Sequence, residues 1–458
     1  MPTAARSKET LTQSESRSVR FAHGKALRKR VPRSSHSAWT APRDRPNPID
    51  LLEERDRGRI PMLLPIRYAR MAASPFGFLR GAAATMAWDL SHTPTTGLRV
   101  QLCGDAHLSN FGVFGTPERD RVFDLNDFDE TLAGAWEWDV KRLATSIVVA
   151  GRCNHYGRSE IRDTVRATVR EYRKLMGSFA GMRYIDIWYS HLGVGGPPLP
   201  KGRTLRRVFG RAATEALRKS SLQAFPRMAK TDGGRLRIRD DPPLIHHYSD
   251  SAADELSRSM YDRYRSTLTP EKRMLLDRYH VADVAQKVVG VGSVGLACSV
   301  LLLLGDQDVQ DPLFLQVKQA TSSVLEPYFG RSPFANHAER VVEGQRLVQE
   351  ASDVFLGWSR MGGRDFYVRQ AWDMKFSFDI STLGPREFEG QAELCGAALA
   401  RAHARTGDPA ALAGYLGTGP LFDEAIATFA ERYADQTEQD HAALVRAVRS
   451  GRLPASES

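Results

Sequence analysis

The sequence predicts a mixed α+β fold of two lobes closed around one phosphate-binding cleft. Three observations carry this prediction. Asp105, Asn110 and Asp127 recur at short spacing on and beside apolar runs; a later strand, glycine run and second strand lead to a lysine; and segments 138–149, 160–179 and 422–448 have the amphipathic spacing of helices. Two carboxylates and an amide at that spacing suit one group that orients a hydroxyl and two hard-oxygen ligands for Mg²⁺. A tight turn with a solvated aspartate accounts for Gly104-Asp105 alone, but not for the residues that follow at matching offsets.

At 458 residues, 42% hydrophobic and 26% charged, the chain can bury a core in more than one lobe. The net charge of +10 is concentrated at the start: Met1 to Arg45 hold eleven Lys/Arg against three acids, 11 − 3 = +8. Residues 1–45 are therefore expected to form a disordered basic tail, with nucleic-acid contact confined to that tail if it occurs at all. The tail lacks the apolar core of a secretory signal. Cys103, Cys153, Cys298 and Cys395 are widely separated and form no C-x-x-C pair, which suggests neither a zinc site nor a disulfide framework and suits a reducing cytoplasm. The uncharged stretch Val288 to Gly305 is broken by four glycines, so two buried strands around a turn explain it better than a membrane span.

The run Cys103-Gly104-Asp105-Ala106-His107-Leu108-Ser109-Asn110, with Phe123-Asp124-Leu125-Asn126-Asp127-Phe128-Asp129, resembles the catalytic loop and metal segment of the aminoglycoside phosphotransferase and choline kinase branch of the protein-kinase-like fold. The family's leading His is Cys103 here. A further acid, Asp139, lies twelve residues after Asp127 (139 − 127), where the family uses an Asp to buttress the loop. The resemblance implies ATP and Mg²⁺ as cofactors, with Asp105 as catalytic base and Asn110 and Asp127 as metal ligands. His107 is expected to pack in the loop, because no second His lies at ligand spacing.

Gly290-Val291-Gly292-Ser293-Val294-Gly295 has the G-x-G-x-x-G form that covers phosphates in kinases and opens a helix in dinucleotide-binding folds. The strand Leu313 to Lys318 decides between them. A dinucleotide site wants an acid at the end of the second strand, whereas Lys318 fits the kinase lysine that meets the α and β phosphates. A lysine so placed needs a carboxylate from a helix, and within 338–355 Glu343 is the preferred partner, with Glu326 as competitor; solvated acids are the plain alternative. Asp365 to Trp372 resembles the strand and hinge beside an adenine, and Phe388 to Arg405 the long helix that enters the catalytic loop.

In ordinary kinases these small-lobe parts precede the catalytic Asp; here they follow it, so the expected fold is a bilobal kinase-like fold in circularly permuted order. Its expected parts are a large helical lobe at 55–235, a small nucleotide-binding lobe at 236–378, and helices at 379–458 returning to the large lobe. Lys201 to Lys230 is strongly basic, and Arg70 and Arg80 are either phosphate contacts or surface arginines. From about Ile60 to the last helix, the chain also resembles the uncharacterised bacterial family known as domain of unknown function 2252, on the segments Leu64 to Met71, Ser74 to Gly81, Gly104 to His107 and Asn126 to Asp129.

The functional expectation is a cytoplasmic ATP- and Mg²⁺-dependent phosphotransferase acting on a hydroxyl of a small molecule or protein, with nucleotide bound at Gly290, Gly292, Gly295, Lys318 and Glu343. A nucleotide-binding pseudokinase and an AMP-transferring kinase-like protein are the alternatives. An NAD-dependent oxidoreductase rests on the glycine run alone.

Overall fold

Two apolar periodicities sort the chain into a helical region and a sheet region, and the segments holding Asp105, Asn110 and Asp127 run along the seam between them. The structure, a computed structural model, describes residues 15–193, 203–233, 235–247, 260–306 and 310–456. The mixed α+β architecture with several antiparallel sheets agrees with the sequence. Strands β1 (Arg99–Leu102), β2 (Phe111–Gly115), β3 (Arg121–Leu125) and β4 (Leu132–Ala135) form two small antiparallel pairs, β1 with β4 and β2 with β3. Helices Glu137–Cys153, Arg158–Gly181, Pro385–Thr406 and Leu421–Arg449 pack around them and bury the largest core. At its centre Trp136 lies fully buried and parallel to the ring of Tyr172 at 5.9 Å, and its indole N–H donates to Thr96 Oγ1 at 3.0 Å.

A second region begins with the hairpin β5 (Ala229–Asp232) and β6 (Arg235–Ile238). It continues through β7 (Ile245–His247), β8 (His280–Lys287), β9 (Cys298–Leu304), β10 (Pro312–Ala320), β11 (Gly357–Met361) and β12 (Arg364–Gln370). These last six form one antiparallel sheet in the order β11-β12-β10-β9-β8-β7, with helix His337–Val348 between β10 and β11 in sequence. Both faces are covered. Leu301, Leu303, Leu315 and Val317 pack with Tyr264 and Phe355, while Val300, Leu302, Leu304 and Phe314 pack with Ala229 and Ile238. That explains why β9 is apolar without alternation, since a strand buried on two faces has no polar side. The expected pair of strands in 288–305 is modified: β8 ends at Lys287, and residues 288–297 form the connecting loop. Strand β13 (Phe376–Ser377) then returns to pair with β2, joining the sheet region to the β2–β3 hairpin.

The long helix Pro385–Thr406 leads toward β1, and Thr406 Oγ1 accepts from the Gln101 amide at 3.1 Å. Helix His337–Val348 is shorter than the 338–355 pattern and leaves Glu350 outside it. All four cysteines are free, and among the described residues no helix is long and apolar enough to cross a membrane.

The expected disordered tail is corrected over its described part, while residues 1–14 lie outside the described residues. Arg17–Arg30 is a helix capped by Ser16, and it packs across helix Pro409–Leu416. Lys25, Lys29 and Arg30 stay exposed, but other basic side chains of the segment are tied down. Arg28 donates to the carbonyls of Gly414 and Tyr415, and Arg33 to that of Leu416 at 2.7 Å, so they satisfy the carbonyl end of the partner helix. Glycines permit the crossing: a Cβ on Gly24 would lie 1.9 Å from the Ala411 carbonyl oxygen. Gly24→Ala is therefore expected to lower unfolding free energy by about 1–3 kcal/mol and to expose the Arg17–Arg30 segment to protease. Unchanged denaturation and digestion would show that the helix is not docked there.

Candidate active site

β1 delivers the chain into the loop 103–110, whose shape is fixed by Asp139 at the start of helix Glu137–Cys153. The Asp139 carboxylate accepts from the backbone N–H groups of Cys103 at 2.9 Å and Gly104 at 3.1 Å. Gly104 is required here: its φ is +81°, and a Cβ would meet the Glu130 carbonyl oxygen at 2.4 Å. Behind Asp139 stands His403, 3.4 Å away, held in turn by the Tyr172 hydroxyl at 2.9 Å. Cys103, where the related motif has His, is buried in the core, and burial pushes its thiol well above the usual range.

Arg142, buried on the same helix as Asp139, donates to Asp105 Oδ1 through Nε at 2.6 Å and anchors its other end on the Leu79 carbonyl at 2.9 Å. This leaves Asp105 Oδ2 facing the cleft, 3.6 Å from His107 Nε2. His107 packs against Phe76, and burial, with Arg80 and Arg142 nearby, pushes its imidazole well below the usual value. Asn110 Nδ2 donates to the Asp105 carbonyl at 2.7 Å, which fixes the amide and leaves its Oδ1 available.

The β2–β3 hairpin carries the chain back to Asn126 and Asp127, and β10 brings Lys318 to meet them. Lys318 Nζ lies 3.8 Å from Asp127 Oδ1 and makes its closer ion pair with Asp129. Tyr367, opposite Lys318 on β12, donates to Asp129 Oδ1 at 2.8 Å, and Ser293 of the glycine loop donates to Oδ2 at 3.1 Å. Burial followed by the charge of Asp129 raises Asp127 above the usual carboxylate range. Burial works against ionisation of Asp129 as well, but Lys318 and the Tyr367 hydrogen bond outweigh it and hold Asp129 low. Lys318 is kept well above the usual lysine value, because the attraction of Asp127 and Asp129 overcomes its desolvation.

Asp127 is the less tightly paired of the two carboxylates, 3.8 Å from Lys318, with Arg369 and Arg80 also acting on it. Asp127 and the Asn110 amide oxygen supply hard-oxygen ligands that fit Mg²⁺. Among the described residues no group of three His, Cys, Asp or Glu gathers to hold a metal, so the remaining ligands of such an ion would come from phosphate and water.

The glycine loop covers this cleft. Gly290 and Gly295 have φ of +67° and +90°, and the loop's carbonyls are gripped by Arg59 and by two arginines of helix Leu64–Ala72. Arg67 donates to Val291 O at 2.8 Å and Gly292 O at 3.1 Å, Arg70 to Gly290 O at 2.6 Å, and Arg59 to Val294 O at 2.6 Å. The loop runs into antiparallel β9, not into the helix that a dinucleotide fold would require. Beneath it, Arg80, Asp105, Asn110, Asp127 and Gly292 line one cavity of about 90 Å³. Arg80 Nε is buried there without a hydrogen-bond partner. Burial lowers the Arg80 guanidinium despite the attraction of Asp105 and Asp127.

The structure thus brings Asp105, Asn110, Asp127, Gly290, Gly292 and Lys318 together, with Gly295 at the loop's far end. It does not bring Glu343 to Lys318. Glu343 pairs with Arg346 at 2.6 Å on its own helix, and Glu326 lies 3.9 Å from His337. The residue of helix His337–Val348 that reaches the site is Arg340, which donates to the carbonyls of Asp129, Thr131 and Thr321 at 2.7–2.8 Å. The carboxylate for Lys318 comes instead from Asp129. Sequence reasoning missed Asp129, Arg142, Arg340 and Arg369; for Asp129 the signal was present as the second acid of Asp127-Phe128-Asp129.

Fold and site together define a mixed α+β protein with a glycine-covered acidic cleft at the junction of a helical core and an antiparallel sheet. The chain belongs to the bacterial family described as "Uncharacterized protein conserved in bacteria (DUF2252)", whose model matches residues 59–447. No curated protein and no solved structure matches the chain.

Asp129→Asn removes the nearest counter-charge of Lys318 and is expected to destabilise the protein at pH 7 by about 3 kcal/mol. Because folding depresses the Asp129 pKa, its contribution is present above the ordinary carboxylate pKa and fades as pH falls through the depressed value. Denaturation of parent and variant should therefore show a gap that narrows below about pH 4. A gap independent of pH would contradict the ion pair.

Proposed function

We propose that this protein is an ATP- and Mg²⁺-dependent phosphotransferase that passes a phosphorus-centred group from nucleotide to a hydroxyl. The observation that carries the reading is the meeting of Lys318 with Asp127 and Asp129, 191 residues apart in sequence (318 − 127), under a glycine loop that also faces Asp105 and Asn110. One bound polyphosphate can touch all of these groups. The order from β8 through the glycine loop, β9, the lysine on the third strand β10, a helix and the β11–β12 pair matches the parts a kinase uses to hold phosphates. The same parts follow the catalytic Asp in this chain, which supports a circularly permuted kinase-like arrangement.

The chemistry follows from the side chains. Asp105 Oδ2 is free to accept from an acceptor hydroxyl and aim its oxygen, while Arg142 fixes the carboxylate plane through Oδ1. Asn110 and Asp127 would hold Mg²⁺, which neutralises phosphate charge when bound. Lys318, kept protonated by Asp129, meets the phosphates from the opposite side, and the unpartnered Arg80 offers a further cation. Which phosphorus is attacked depends on the direction in which the nucleotide lies. With the base beside the turn after β12, it is the γ-phosphorus.

Asp105→Ala is expected to lower Mg-ATP turnover over a panel of hydroxyl acceptors by about 10²–10⁴-fold with ATP affinity nearly unchanged. Equal loss of affinity would count against the orienting role. Asn110→Ala and Asp127→Ala should instead weaken Mg²⁺-dependent ATP binding, and calorimetric Mg²⁺ titrations that match the parent would remove both residues from the metal site.

A further inference from the structure

On the far side of Arg369 from the acidic cleft lies a larger cavity of about 460 Å³. Arg218, Lys219, Arg227, Lys287, Arg369 and Lys375 line it, with no carboxylate in the lining. The nearest acids are already engaged. Asp353 accepts from the backbone amides of Phe355 and Gln370, Asp373 pairs with Arg119, and Glu215 takes Arg218 on the outer surface. Lys287 Nζ has the ring of Trp372 as its neighbour at 4.2 Å and no ion pair among the described residues. Lys375 Nζ donates to the Gln370 carbonyl at 3.0 Å. Burial lowers Lys287, and burial followed by Arg369 brings Lys375 down to about 8. The turn beside them is strained as well, since Trp372 and Met374 both have left-handed φ, +51° and +48°.

This is the end of the site where an adenine would be expected. A neutral base needs an apolar slot and a few backbone hydrogen bonds; six cations offer it little. Lys287 is a half-buried ammonium with no carboxylate acting on it, and Lys375 feels Asp353 and Asp373 without pairing directly to either, so an entering anion would relieve part of the cost of burying both. Gln316 on the wall of this cavity and Lys318 in the acidic cleft point to the same face of β10, two residues and so roughly 7 Å apart. Arg369 stands between the two spaces: it lines the larger cavity, its Nε donates to Gln316 at 3.0 Å, and its other end donates to the Asn126 carbonyl at 2.9 Å, next to Asp127.

We infer that this cationic cavity is a polyphosphate subsite, and that a nucleotide lies with its terminal phosphates in the cavity and its α-phosphate at Asp127. The inference rests on the reading of the cleft as a nucleotide site and sets the direction of the nucleotide within it. The acceptor oxygen then bonds to the α-phosphorus while the bond from that phosphorus to the oxygen bridging the β-phosphate breaks. The hydroxyl proton passes to the Asp105 carboxylate, and pyrophosphate leaves as an anion among Lys287, Arg369 and Lys375. The acceptor receives a nucleotidyl group, not a phosphoryl group.

Competition against Mg-ATP on the full chain tests this, with inorganic triphosphate and adenosine as probes. Triphosphate is expected to displace ATP and adenosine is not. Lys287→Gln and Lys375→Gln should each weaken triphosphate and ATP binding by about tenfold or more, the loss of one charge-assisted contact. Displacement by adenosine but not by triphosphate overturns the inference, and this arm needs only the parent protein should a variant fail to fold. ATP binding lost in Asp127→Ala but unchanged in both lysine variants also overturns it, while leaving the cleft reading intact. A parent that binds no ATP would overturn the cleft reading instead; triphosphate binding that is sensitive to Lys287→Gln would then still support the subsite.

Discussion

The ion pair between Lys318 and the Asp127–Asp129 segment is the contact on which the rest of the site depends. Lys318 belongs to the six-stranded sheet, and the two aspartates belong to a turn that grows from the helical core. A lysine that is 2% exposed is stable only where its charge is met, so the pair fixes how the sheet sits over the loop 103–110. Tyr367 and Ser293 complete the arrangement by holding Asp129 from β12 and from the glycine loop. Strand, glycine loop and the turn of Asp127 and Asp129 are thereby registered to one carboxylate.

Arginine does the corresponding work elsewhere around the cleft. Arg142 ties Asp105 to the carbonyl of Leu79, Arg340 gathers the carbonyls of Asp129, Thr131 and Thr321, and Arg67 bridges Asp56, Gly81 and the glycine loop. A guanidinium presents several donors in a rigid plane, so one buried side chain can satisfy carbonyls from segments that share no regular secondary structure. This suits a site built where irregular loops from separate parts of the chain must meet.

The residues that were legible in the sequence are those whose chemistry is local. Asp105 with Asn110, Asp127 with Phe128, and the glycine run before Lys318 each lie within a few residues of one another, and the turn or strand that carries them fixes their relative places. Glu343 illustrates the opposite case. Its helical periodicity is real, but which face of His337–Val348 turns toward β10 is settled by packing, and the face presents Arg340. The basic N-terminal segment failed for a related reason. Net charge describes a solvated run only if the charges meet water, and Arg28 and Arg33 meet the carbonyl end of a helix nearly four hundred residues away. The pattern of Gly24, Gly414 and small neighbours that lets those helices touch is legible only once both are placed side by side.

The grip of Arg59, Arg67 and Arg70 on the glycine loop has a kinetic side. Lifting the loop off Asp127 would break four hydrogen bonds to charged donors, two of them from Arg67 alone. For a ligand that enters only with the loop raised, the observed affinity is the intrinsic affinity reduced by the fraction of molecules with the loop raised. Association of such a ligand saturates with its concentration at the rate of loop opening, and substitution of Arg70, which grips the loop from outside the cavity, changes how fast it binds.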